Sequence, residues 1–143
     1  MIGFLIALLS GALMSIQGVF NTQVTKNAGI WTTATFVQFT ALVVCVVAWF
    51  TTEKSSLLNV LAFKPKYMLL GGVIGAFITI TVVKSMESLG PAKAAMLIVI
   101  SQLIVAYGIE LLGLFQVERQ PLEWRKVLGM MIAISGVVLF KWK

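Results

Sequence analysis

The chain has 143 residues, of which 59% are hydrophobic and 11% charged, with a formal net charge of +6. Soluble domains carry about 25% charged residues, so a water-soluble fold is excluded, and the scattering of Lys and Arg at the ends of apolar runs argues against nucleic acid as a partner. With no His and a single Cys, Cys45, the inventory supplies no zinc site, haem attachment pair or intrachain disulfide, and no cofactor is expected.

A membrane span takes ~20 apolar residues, and five such runs follow one another. Residues 2–25 carry no charge, and no basic residue precedes them as a secretory signal would require, so a retained first helix is expected. Residues 31–52 are also uncharged and place Trp31 and Trp49 near their ends, where amphipathic rings favour the headgroup layer. Lys64-Pro65-Lys66 closes a polar link whose SLLNVLAF stretch suits the interface and is too short to cross. Residues 67–86 form a third run, in which Lys84 can snorkel from near the end. Its Gly71, Gly72 and Gly75 lie inside apolar sequence and make no phosphate-binding loop, so ATP-driven chemistry is not expected. Gly90 and Pro91 break that run before a fourth, 92–115. A fifth, 121–140, is expected to start at Pro121, a favoured first-turn residue, with Trp124 and Trp142 marking its interfaces. The expected fold is an all-α integral membrane protein, one five-helix domain spanning 1–143.

Five spans put six positive residues on one side, Lys54, Lys64, Lys66, Arg119, Arg125 and Lys126. They put five on the other, Lys26, Lys84, Lys93, Lys141 and Lys143. Orientation follows the excess of Lys and Arg on the cytoplasmic side, and a difference of one is almost no instruction. Insertion both ways follows, and two opposed copies form an antiparallel dimer with the symmetry that inverted repeats give larger transporters. The bland alternative is that a partner protein, or a feature outside this count, fixes one orientation. Small residues favour close helix contact in lipid, and Gly129, Ala133 and Gly136 share one face of the last helix, making it the candidate dimer seam.

Polar residues inside the spans are the candidate substrate-handling groups. Ser10, Met14, Gln17 and Asn21 recur at helical spacing on the first helix, and Thr35 and Gln38 are three apart on the second. On the fourth, Gln102, Ala106 and Glu110 are four apart, with Tyr107 beside that stripe. Amides and hydroxyls often serve only as interhelical glue, contributing about 0.6 kcal/mol each. Glu110 is different, because an ionisable group in a span by default marks a pathway, a proton relay or a buried partner. It stands ~7 residues from the middle of its helix, roughly 10 Å along the axis, so reaching the headgroups or pairing with a lysine is the competing reading. Inverting one protomer brings its Glu110 level with Gln17, Asn21 and Gln38 of the other, and a shared polar chamber results.

These residues resemble the YdcZ-like, half-size branch of the drug/metabolite transporter superfamily along nearly the whole chain. The resemblance rests on GALMSIQGVFNTQV in the first helix, GGVIGAF in the third, and SLGPAKAAMLIVISQLIVAYGIELLGLF through RQPLEWRKVLGMMIAISGVVLF. It implies a bacterial plasma-membrane protein of five helices that pairs antiparallel with itself or with a paralogue. Many members have aspartate where Glu110 stands, and the first-helix glutamate of the small multidrug resistance relatives is absent, with Gln17 and Asn21 in that region. The expected function is secondary transport of small metabolites or organic solutes by alternating access. Gln17, Asn21, Gln38, Gln102 and Tyr107 would line the path, with Glu110 as the coupling group. A flippase for a lipid-linked carrier and a non-transporting membrane subunit are the rivals. A channel lacks a filter sequence, and an enzyme lacks a nucleophile and base or metal ligands.

Overall fold

The computed structural model describes residues 1–53 and 55–141. Lys54, Trp142 and Lys143, which enter the charge count and the interfacial tryptophan expectation above, lie outside the described residues. The chain is helical almost throughout, and it divides into two compact units, Met1–Ser88 and Leu89–Lys143.

In the first unit, α1 (Ile2–Ala28) and α2 (Ile30–Ala48) are joined by the single residue Gly29. Its φ of 82° and ψ of 157° lie in a region essentially restricted to glycine. That conformation lets the Gly29 N–H close α1 on the Thr25 carbonyl at 2.9 Å, while its own carbonyl accepts from the Thr33 N–H at 3.1 Å to open α2. α2 continues as a π-helical turn, Trp49–Glu53, and the Trp49 indole N–H donates to the Ser55 carbonyl at 2.8 Å. A five-residue helix, α3 (Leu58–Ala62), carries the SLLNVLAF stretch with its leucines exposed, and it is too short to cross a membrane. A 3₁₀ turn, Lys66–Leu70, leads into α4 (Gly71–Leu89).

Burial within this unit is concentrated towards the Gly29 end. Gly18, Asn21, Thr22 and Thr25 of α1, Thr33 and Ala34 of α2, and Val83 and Met86 of α4 are buried, whereas residues 2–17 of α1 contain none. α1 packs close to α4 at Gly18, where a Cβ would stand 2.6 Å from Met86 Cε and 3.2 Å from Val82 Cγ1. The thioether of Met86 rests in the space that a side chain at position 18 would take, and it would have to turn aside for an alanine.

In the second unit, α5 (Pro91–Leu112) begins with proline at its first turn and ends at Gly113, which is left-handed at φ 64° and donates to the Ile109 carbonyl. A 3₁₀ turn, Leu114–Gln116, follows, and α6 (Trp124–Lys141) packs against α5. The expected start at Pro121 is therefore three residues early. Two contacts hold the preceding segment back on the end of α5: the Gln120 N–H donates to the Glu110 carbonyl at 2.9 Å, and Arg119 Nε to the Leu111 carbonyl at 3.0 Å. The first α6 turn forms on Glu123, whose carbonyl accepts from the N–H groups of Lys126 and Val127.

Four helical stretches among the described residues are long and apolar enough to cross a membrane: Ile2–Ala28, Ile30–Glu53, Lys66–Leu89 and Pro91–Leu112. α6 is not among them, because Arg125 and Lys126 in its first turn and Lys141 at its end place three cations in 18 residues. The all-helical membrane architecture stands with four spanning helices established by length and apolarity.

Candidate functional site

The polar residues singled out in the sequence fall in both units. In the first, Asn21 is buried, Gln38 is half-buried and Gln17 is exposed. The buried stripe of α1 runs through Gly18, Asn21, Thr22 and Thr25 and shares only Asn21 with the stripe drawn through Ser10, Met14, Gln17 and Asn21. Three buried threonines were not anticipated. Thr22 Oγ1 donates to the Gly18 carbonyl at 2.7 Å and Thr33 Oγ1 to the Gly29 carbonyl at 2.8 Å, the back-bonding by which a threonine satisfies itself on its own helix. Thr25 Oγ1 is buried and has no hydrogen-bond partner among the described residues.

The second unit assembles a charged cluster where α5 ends and α6 begins. Tyr107, buried on α5, accepts a hydrogen bond from the Glu123 N–H at 3.0 Å, and its hydroxyl lies 3.5 Å from the Glu123 carbonyl. The ring therefore holds the first turn of α6 in place. Its neighbour one turn along, Glu110, lies 4.0 Å from Lys126 Nζ, which is also 3.1 Å from Glu123 and 5.9 Å from the centroid of the Tyr107 ring. Glu110, Glu123 and Lys126 side chains are each between 41% and 47% exposed, so in water this pairing would be weak. In an apolar surrounding the same charges interact more strongly.

A groove of about 510 Å³ lies beside the cluster, lined by Leu103, Ala106, Tyr107, Glu110, Lys126, Gly129 and Met130. The structure thus brings Tyr107 and Glu110 together and adds Lys126, which sequence reasoning counted only as a loop charge. Its signal was visible as Glu123 three residues before it, a spacing that pairs side chains at the head of a helix. Gln102, one turn beyond Ala106, is exposed. Of the candidate seam, Gly129 lines the groove, half-buried Ala133 lines a small cavity together with Ile100, Leu103 and Ile104 of α5, and Gly136 has open space where a Cβ would stand.

Residues 2–139 match the family described as "Putative inner membrane exporter, YdcZ". The chain belongs to this YdcZ family. Membership agrees with the apolar helices in making it a multi-pass inner-membrane protein, and it makes the chain a membrane transporter by family. The YdcZ match takes in every candidate site residue, from Gln17 to Gly136. No curated protein and no solved structure matches the chain.

Proposed function

We propose that this YdcZ-family chain is half of a secondary transporter that moves small metabolites or organic solutes by alternating access, and that the working unit is an antiparallel pair. The observation that carries this reading is the exposure of Gln17 and Gln102 on a single chain, although both lie well inside apolar helices. An amide facing hydrocarbon without a partner costs several kcal/mol, so a second chain is the natural cover. The near balance of positive residues between the two ends of the spans supports an inverted mate, a homodimer or a heterodimer with a paralogue.

In such a pair α6 serves as the fifth span. Arg125 and Lys126 sit at the headgroup layer, and the uncharged run from Val127 to Phe140 crosses the core. Inversion sets Glu110 and Tyr107 of one chain at the depth of Gln17, Asn21 and Gln38 of the other. Solute binds among the amides, and the Glu110 carboxyl changes partner or proton as the path reopens on the other side. Gly129 and Gly136 both have free space at their Cβ positions, which leaves the α6 seam open to a close helix contact.

The test uses proteoliposomes loaded with a pH-sensitive dye and challenged with a panel of small amines, carboxylates and sugars. At least one solute class drives a proton flux with the natural chain. Glu110→Gln abolishes that flux and leaves the dimer assembled, while Glu110→Asp retains part of it. Flux unchanged in Glu110→Gln removes Glu110 from the mechanism. No flux from the natural chain with any solute favours a non-transporting subunit.

A further inference from the structure

The cation already held in the second unit indicates what that cluster is built to hold. Lys126 Nζ has the Glu123 carboxylate at 3.1 Å, the Glu110 carboxylate at 4.0 Å and the Tyr107 ring centroid at 5.9 Å. Two carboxylates and an aromatic face around one ammonium are the surroundings that bind an organic cation, by charge compensation and by attraction to the ring. The group filling that place is on a flexible four-carbon stem and is 41% exposed, so it can withdraw without any movement of backbone. Once it leaves, two formal negative charges remain beside a groove of about 510 Å³ whose other lining residues, Leu103, Ala106, Gly129 and Met130, are apolar. That combination suits an ammonium head with a short alkyl tail. An anionic solute would find two carboxylates against it.

We propose that Lys126 is a tethered competitor in a site for small organic ammonium ions, which bind between Glu110, Glu123 and the Tyr107 ring when the lysine swings away. The identity of the bound cation as cargo rests on the transporter reading; its binding does not.

The experiment is calorimetric titration of n-butylammonium into the purified full-length chain in lipid nanodiscs. Lys126→Met removes the competitor and tightens binding roughly 3- to 10-fold, the scale on which a half-exposed ion pair competes. Lys126→Arg keeps a cation in place and keeps the natural affinity, and adding Glu110→Gln to Lys126→Met cancels the gain. Equal affinity for the natural chain and a folded Lys126→Met overturns the proposal, as does tighter binding of n-butyrate than of n-butylammonium. Should Lys126→Met fail to fold, carbon NMR of methylated lysines in the natural chain decides: the Lys126 signal moves towards that of a free lysine as n-butylammonium is added, and an unmoved signal overturns the site. Binding as described without flux in dye-loaded proteoliposomes discards transport and keeps the site, whereas flux with equal affinities discards the site and keeps transport.

Discussion

Thr25 and Thr33 are both buried threonines near the Gly29 joint, yet their hydroxyls are in opposite situations. Thr33 Oγ1 bonds the Gly29 carbonyl, and Thr25 Oγ1 has no partner among the described residues. A buried hydroxyl without a partner costs about 1–3 kcal/mol, whereas a made bond contributes about 1 kcal/mol. Thr33→Val should therefore lower stability by about 1 kcal/mol, and Thr25→Val should be neutral or stabilising, measured by thermal unfolding in detergent. A loss of transport in a Thr25→Val protein that is no less stable would mark the orphaned hydroxyl as a solute contact. Tyr107 offers a second test at this scale. Tyr107→Phe leaves the Glu123 N–H unpaired and should cost about 1 kcal/mol, with faster hydrogen exchange at the Glu123 amide as the specific signature. Glu110 and Tyr107 were legible in the sequence because a carboxylate and a phenol stand out in an apolar run. Lys126 was legible only as the partner of Glu123, since its approach to Glu110 and Tyr107 depends on a return of the chain that composition alone cannot locate.

Helix joints govern the next scale. Gly29 and Gly90 adopt nearly the same conformation, φ 82° and ψ 157° against φ 80° and ψ 158°, and each carbonyl accepts from the residue four positions on. Alanine at either position is expected to cost ~1–3 kcal/mol, because that backbone region is closed to a Cβ. Pro121→Ala should change stability by less than about 0.5 kcal/mol, because Pro121 precedes α6 and sets none of its turns. A large loss at Pro121 with no effect at Gly29 would mean that the joints are misassigned. The four apolar helices were readable because a predominantly apolar run of ~20 residues is long enough to cross the bilayer as a helix. The start of α6 was not, since Pro121 favours a first turn while Gln120 and Arg119 are drawn back onto α5 by contacts distant in sequence.

At the scale of the whole molecule, a single chain leaves most of its large apolar side chains exposed, as a bilayer permits, but it also leaves Gln17 and Gln102 uncovered. Membership in an exporter family is in keeping with polar groups in such helices, and the proposed inverted mate would shelter them from lipid. The most direct measurement places a unique cysteine at Ser55, with Cys45 replaced by Ala, and labels it with a membrane-impermeant maleimide in intact spheroplasts and in inverted vesicles. Comparable labelling from both sides is predicted, or labelling from one side together with a co-purifying paralogue labelled from the other. A single orientation for every copy, with no opposed partner, would contradict the antiparallel transporter.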